Sequence, residues 1–340
     1  MRILYLSCHS ILEYDEVKLF TELGHEVFSF GGYINPQKPH DPKRPPIDAK
    51  PNEYLLNVAL QSSQENLHDK LIDWADVIII MHKPEWVLSN WSRIKHKPVV
   101  LRTIGQNTPN QEMQLTVPRL EGLKIVRYSP AEETIRDYVG KDTVIRFYKD
   151  PKEFRSWNGR LPVILTVAQS MKERGDYCGY GIFEQTIKGL PGVLYGAPSR
   201  NPDLTEMDDP LWVGQLGYKE LKEAYQEYRA YFYTGTYPAS YTLNFIEAMM
   251  TGIPIVAIGK SLANLKIFDM DAYEVSDIIK DGENGFVSDN IDDLTEALER
   301  LLLESDLSKK ISENGRKTAI ELFGKTTIKK QWKEYLENIN

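Results

Sequence analysis

Short apolar runs rich in β-branched and aromatic residues alternate along this chain with stretches in which apolar residues return every three or four positions. The first pattern predicts strands and the second amphipathic helices. Residues 2–7 read as a strand. Val17, Phe20 and Leu23 then line a helix that Gly24 stops, and "GHEVFSF" follows as a second strand. "ADVIIIMHKP" predicts a buried strand over Val77–Met81, "KPVVLRTIGQ" another, and "LKIVRYSP" a third. At the end of the third, Ser129 as N-cap, Pro130 at the first position and Glu132 three residues on form a capping box. "TVIRFYKDPKEF" predicts the last strand of this half. Such strand–helix alternation implies an α/β protein with parallel sheets.

A second set of strand–helix units begins at residues 163–167, with short strands expected at 192–196 and 211–214. Leu221, Ala224, Tyr225 and Tyr228 mark an amphipathic helix over 218–228. Asn284-Gly285, between strand-like residues, predicts a hairpin or tight turn. Three helical patterns close the chain, marked by Leu294, Leu298 and Leu301, then Ile311, Ala319 and Ile320, then Ile328, Trp332, Tyr335 and Leu336. Residues 33–55 are rich in Pro and Lys and predict an extended surface loop. "DPKEFRSWNGRL", residues 150–161, predicts a linker.

A chain of 340 residues exceeds what one core usually serves, so two domains are expected. No run of about 18 apolar residues is present, which predicts no membrane-spanning helix. The opening "MRILYLSCHS" reads as a strand rather than a secretion signal. Only Cys8 and Cys178 occur, which argues against a disulfide framework and for a cytoplasmic location. A formal net charge of −8 disfavours non-specific nucleic-acid binding as the main role.

Residues 231–259, "YFYTGTYPASYTLNFIEAMMTGIPIVAIG", carry the strongest chemical signal. An apolar strand ends in Thr234-Gly235. Pro238, Ala239, Ser240 and Thr242 form a small-residue turn. Leu243, Ile246, Met249 and Met250 then repeat at helical spacing, Gly252 closes the helix, and Ile255–Ile258 suits a buried parallel strand. A small-residue turn feeding a helix start presents N–H groups that bind phosphate. Glu247, one turn into the helix, is placed to accept hydrogen bonds from ribose hydroxyls. Together these residues predict a nucleotide site.

The same residues resemble the donor-site signature of GT-B glycosyltransferases, most closely family 4. There an acidic residue precedes Gly-Phe-Gly-Leu, followed by a second Glu, Ala-Met and Gly-x-Pro. Here Ser240, Tyr241, Thr242 and Leu243 take the Gly-Phe-Gly-Leu places, Glu247-Ala248-Met249 matches the second Glu, and Gly252-Ile253-Pro254 the end. Two departures stand out. Ala239 occupies the place of the first Glu, which contacts the transferred sugar. Gln169 occupies that of an Arg whose partner Lys-Gly is Arg174-Gly175 here. By the resemblance Arg174 is the leading cation for the diphosphate, with Lys172 as a stand-in for the missing Arg, and the amides of Thr242 and Leu243 hold the distal phosphate. Glu274 matches a further Glu of the family, and "LGHEV" resembles its N-terminal segment.

The resemblance implies two Rossmann-like domains facing across a cleft. Residues 1–150 are then the acceptor domain, 151–324 the nucleotide-sugar domain, and 325–340 a helix packing back on the first. It implies a retaining hexosyltransferase that takes a nucleoside-diphosphate sugar, with UDP as the leading nucleotide, and needs no metal. Asp269 and Asp271 are the weak exception in a D-M-D pattern. His9 and His82 follow first-domain strands, where ligands gather in such sheets, and are the candidates for catalysis or sugar contact. Ser10 and Gln106 are weaker lining candidates, and His25, His40, His68 and His96 read as structural. Three other readings stay open: a non-catalytic nucleotide-sugar binder, a GT-B epimerase, and a DNA-base glucosyltransferase using the basic segments 38–50 and 92–97.

Overall fold

The computed structural model describes residues 1–31 and 52–339. The chain divides into two compact units. One comprises Met1–Tyr148 together with Thr326–Asn340, and the other Lys149–Lys325.

The first unit is built on six strands: β1 (Arg2–Leu6), β2 (Glu26–Phe30), β3 (Val77–Met81), β4 (Val99–Arg102), β5 (Lys124–Arg127) and β6 (Thr143–Val144). They lie in the order β2-β1-β3-β4-β5-β6, every pairing parallel. Because helices cover both faces of such a sheet, its strands are apolar along their whole length. Ile78, Ile79, Ile80 and Met81 accordingly have no solvent exposure. The helix Ser10–Glu22 ends as its pattern predicts, with Leu23 as its C-cap and Gly24 at φ 85. The Ser129 capping box also forms, but it opens a 3-10 segment, Pro130–Thr134, rather than an α-helix.

Two departures from expectation have local causes. The strand expected from "TVIRFYKDPKEF" shrinks to the two residues of β6. The basic stretch 38–50 and His40 lie outside the described residues, as does most of the loop expected over 33–55. At its end that expectation fails, because Asn52 caps a helix, Glu53–Ala59, with its side chain accepting from Tyr54 and Leu55 amides. Asn284-Gly285 makes the tight turn, one of the two expected forms: the strand Phe286–Ser288 after it pairs parallel with Ile255–Ile258, and Asn284 ties the turn to Ile278 O at 3.1 Å.

The second unit carries β7 (Leu161–Val167), β8 (Gly192–Tyr195), β9 (Trp212–Gly214), β10 (Tyr228–Tyr233), β11 (Ile255–Ile258) and β12 (Phe286–Ser288). Their order is β12-β11-β10-β7-β8-β9, again wholly parallel. From β7 the chain builds outward through β8 and β9, then returns to β7's other side for β10, β11 and β12. Residues 150–160, read as a linker, pack onto this unit. Trp157 donates its amide to Thr251 O at 3.0 Å and its indole N–H to Tyr228 O at 2.7 Å. The final helix, Lys325–Glu337, places Trp332 edge-on against Phe20 in the first unit, 5.0 Å between ring centres.

The core of the first unit holds full charges. Arg102, unexposed on β4, donates to Glu16 at 2.8 Å and lies over the rings of Phe147 and Trp332. Arg127 on β5 makes a two-pronged pair with Glu112, at 2.6 and 2.8 Å, and lies 3.8 Å from Glu132. Removing one partner from such a pair strands a charge in a dry interior, which costs about 3–5 kcal/mol. Arg127→Leu should therefore lower the stability of the full chain by that amount in urea unfolding. Adding Glu112→Leu should recover a large part of the loss; no recovery would show that the cost lies in packing instead.

Candidate functional site

The second sheet changes its direction of growth between β7 and β10, and at such a point the loops leaving two neighbouring strands diverge and leave a crevice at the strands' carboxyl ends. Both predicted loops emerge there. After β7 come Gln169, Lys172 and Arg174. After β10 come the turn 234–242 and the helix Leu243–Thr251. Asn244, in the first turn of that helix, donates from Nδ2 to Val167 O at 2.8 Å and so fixes the helix start to the end of β7.

The helix start is left with donors to offer. Thr242 is its N-cap but makes no capping bond from its side chain. Its hydroxyl instead meets the Tyr233 phenol at 3.0 Å and the Asn244 side chain. The amides of Leu243 and Asn244 make no hydrogen bond among the described residues. Unsatisfied N–H groups on a helix start attract anions, and the helix dipole adds to the attraction. Ser240 and Tyr241 are buried instead, Tyr241 edge-on to Phe323 at 5.3 Å. They shape the turn from below.

On the β7 side, Gln169 is exposed and accepts the Ala197 amide at 2.7 Å, so it braces the neighbouring turn. That turn comes close: a Cβ on Gly196 would stand 1.7 Å from Ala168 O, which only glycine permits. Lys172 and Arg174 are half-buried, and neither is paired with a carboxylate among the described residues. The Lys172 ammonium touches only Thr205 O, at 3.4 Å. The Glu206 carboxylate beside this loop is occupied elsewhere, accepting from the amides of Lys172 and Ser199 at 2.8 and 2.6 Å. Burial pushes the Glu206 carboxyl up, yet those amides and the Ser199 hydroxyl outweigh it and hold it below its ordinary value.

Glu247 sits deeper than a residue one turn into a surface helix would. It is 5% exposed and ion-paired at 2.9 Å with Lys149, itself 2% exposed. Lys149 was not singled out in sequence, because nothing local marks "FYKDP" as a partner for a residue ninety-eight positions on. Its placement comes from the backbone. Lys149 N donates to Phe323 O at 2.9 Å and Lys149 O accepts from Lys325 N at 3.1 Å. Glu274 is buried too, its amide donating to Ser240 O at 3.0 Å.

A narrow cavity opens beside this site, between the turns that follow β10 and β11. Thr236, Ala239, Asp176, Asp271 and Tyr273 are among its walls, and its free volume is about 20 Å3. The D-M-D pattern brings no metal cage: among the described residues no group of three or more His, Cys, Asp or Glu side chains is arranged to hold an ion.

In the first unit, His9 and His82 follow β1 and β3, the strands flanking that sheet's own change of direction. His9 is the N-cap of helix Ser10–Glu22, its Nδ1 accepting from the Leu12 amide at 3.4 Å. His82 has φ 65 and is the middle residue of a turn closed by Lys83 N donating to Met81 O at 2.8 Å. Such a conformation is strained for a residue with a side chain, and strain of this kind gathers at functional positions. Its Nε2 lies 3.4 Å from Gln111 Nε2. Burial, and then the charge of Lys83, lowers its pKa to about 4, so the ring is neutral near pH 7. Gln106 shares the left-handed backbone, at φ 57. The basic stretch 92–97 is no free patch: Arg93 pairs with Asp69 at 2.6 Å, Lys95 with Glu121 at 3.0 Å, and Lys97 donates to Ala75 O at 2.6 Å.

Residues 207–318 match the family model for glycosyl transferases group 1. No curated protein sequence matches the chain. Among solved structures, the sucrose-phosphate synthase of Thermosynechococcus elongatus is 16% identical, with 100% of this chain and 99% of that one covered and a TM-score of 0.72. HepE of Anabaena, in complex with UDP, is 14% identical over 99% of this chain and 100% of its own, TM-score 0.69. A glycosyltransferase from Rickettsia africae gives 14%, 99% and 98%, TM-score 0.70. The architecture is thus GT-B, and the helix Leu243–Thr251 lies within the stretch that matches the group 1 model. No helix among the described residues is long and apolar enough to cross a membrane.

His82 carries a prediction of its own. Its folded pKa of about 4 lies below the roughly 6.5 of an unfolded histidine, so the unfolded chain binds the extra proton between those values. The stability His82 contributes is complete above about pH 6.5 and is lost as pH falls toward 4, up to about 3 kcal/mol. Urea unfolding of His82→Asn, which keeps a residue tolerant of positive φ, should show a flatter loss over that interval than the parent chain. An unchanged pH profile would rule out the buried neutral imidazole.

Proposed function

We propose that this chain is a glycosyltransferase that takes its sugar from a nucleoside diphosphate, with UDP as the nucleotide, and passes it to an acceptor hydroxyl with retention and without a metal. The observation that carries the reading is the pairing, at one change of direction in one sheet, of a helix start with unsatisfied amides and two cations without carboxylate partners. A diphosphate fits both halves. Its departure during transfer leaves further negative charge there, and donors already fixed in place stabilise that charge without reorganising. The group 1 match over residues 207–318 and the UDP held by HepE, a structure of similar fold, point the same way.

Within this reading Arg174 and Lys172 face the phosphates, the Leu243 and Asn244 amides cap the distal one, and Glu247 accepts from the ribose. Lys149 gives Glu247 a counter-charge. A carboxylate this deeply buried and alone would be costly as an anion. Glu247 pairs with Lys149 through Oε1, and a carboxylate accepts hydrogen bonds from ribose hydroxyls. Retention suits the rest of the chemistry. His82 is too weak a base at pH 7 to be an efficient proton acceptor, since that task is best served by a pKa near the working pH. On a retaining route the leaving phosphate takes the acceptor's proton, and no protein base is needed.

Titration calorimetry of the full chain against UDP, GDP, ADP and TDP should show UDP as the tightest ligand. Arg174→Ala should weaken UDP about 10–100-fold, the value of one or two charge-assisted hydrogen bonds. Glu247→Gln should weaken UDP more than it weakens its 2′-deoxy analogue. Equal binding of all four nucleotides by parent and variants would overturn the assignment. Tight UDP binding with no release of sugar from any UDP-sugar, with or without acceptor alcohols, would replace the transferase by a binding protein.

A further inference from the structure

The place at 239, where the resembling family carries a sugar-contacting Glu, is Ala in this chain. The structure shows what lies around it. Ala239 is 8% exposed and forms part of the wall of the narrow cavity between the turns following β10 and β11. Most polar groups of that wall are committed. Thr234 donates to Cys178 O at 2.6 Å, Tyr237 accepts the Phe268 amide at 3.0 Å, and Asn264 bridges Met270 O and Lys266 N at 3.3 and 2.9 Å. Tyr273 is different. It is 6% exposed, and its phenol oxygen lies buried without a hydrogen-bond partner. A buried hydroxyl left so is costly unless something fills the place, and its position in a cavity wall indicates an incoming polar group. Asp271 stands two residues before it in the same wall, half-buried. Lys260 lies 4.0 Å from it and 3.1 Å from Asp277.

We propose that Asp271 and Tyr273 recognise the hydroxyl edge of the transferred sugar, taking over the task of the carboxylate missing at Ala239, and that this sugar is neutral. The inference rests on the donor reading above and adds the identity of the sugar's class. Three features support it. First, a carboxylate accepts from two hydroxyls and a phenol donates to or accepts from a third, which is the donor–acceptor complement of a sugar edge. Second, the cavity's free volume of about 20 Å3 suits one hydroxyl or hydroxymethyl group and not a whole pyranose, so an edge enters and the ring remains at the mouth. Third, Asp176 and Asp271 both line the cavity and no Lys, Arg or His does. A sugar bearing its own carboxylate would meet like charge there, and burial would sharpen the repulsion.

The test compares the affinity of the full chain for UDP with that for UDP-glucose, UDP-galactose and UDP-glucuronate, by titration calorimetry, in the parent and in Asp271→Asn and Tyr273→Phe. Both variants are near-isosteric, and their melting temperatures report whether the fold is intact. One neutral UDP-sugar should bind the parent at least tenfold more tightly than UDP-glucuronate. In both variants UDP itself should bind as in the parent while the advantage of the neutral sugar shrinks about tenfold. Asp271→Asn should also narrow the gap to UDP-glucuronate, an effect that a packing defect would not produce. Glucuronate bound as well as the neutral sugars, or equal losses for UDP and UDP-sugar in the variants, would overturn the proposal and leave the donor reading intact. Failure of UDP to bind the parent would overturn both.

Discussion

Every ladder pairing in both sheets is parallel, and most of what this chain can do follows from that constraint. Parallel neighbours need crossover connections, so all strands of a sheet deliver their carboxyl ends to one edge. Two strands whose crossovers go to opposite sides leave a gap at that edge, and no helix fills it. In the second unit the gap falls between β7 and β10. The candidate residues for phosphate come from the two loops that leave these strands. In the first unit the matching gap falls between β1 and β3, and it collects His9 and His82.

Buried charge is the second theme, and it has different meanings in the two units. In the first, Arg102 and Arg127 are satisfied by carboxylates and by backbone carbonyls, including Ile145 O at 2.6 Å and Gly140 O at 2.9 Å. These residues fix the irregular segments around β6, where the ladder is too short to do so. A parallel strand of two residues offers few ladder bonds, and guanidinium groups supply the missing order. In the second unit Lys149 and Glu247 form a buried pair, and Glu247 lies in the helix that forms one wall of the candidate site. The first set holds backbone; the second joins that helix to the segment at Lys149.

The strands and most of the helices were legible because their patterns are local. Val77–Met81, Ile255–Ile258 and the three closing helices come out as the spacing of apolar residues predicts. At Asn284-Gly285 the sequence announced a turn but not which strand the chain meets next. The helix Glu53–Ala59 was hidden by the Pro-rich residues before it, and the Asn52 cap overrode that bias. The chemistry of the helix start was read from the small residues before it, which placed the donors at Thr242 and Leu243; the structure leaves the amides of Leu243 and Asn244 without a hydrogen bond among the described residues. Chemistry was illegible where it depends on partners far apart in sequence. Lys149 for Glu247, Glu112 for Arg127, and Asp271 with Tyr273 beside Ala239 are juxtapositions that only the fold creates.

The two departures from the family pattern acquire physical content in this setting. Gln169 is no degraded Arg. With its side chain accepting the Ala197 amide it holds the turn that Gly196 brings against Ala168. Arg174 keeps the place of the family's Lys, and Lys172 is the further cation of the same loop. Ala239 is a different case, since a carboxylate that reads hydroxyl groups must stand at a fixed place. Ala239 instead lines a narrow cavity whose wall also holds Asp271 and Tyr273, from the turn after the neighbouring strand β11. The Tyr273 phenol is buried there without a hydrogen-bond partner, and the wall carries Asp176 and Asp271 but no Lys, Arg or His. The cost of burying them is set against stability alone in a decayed site, but against binding in a working one.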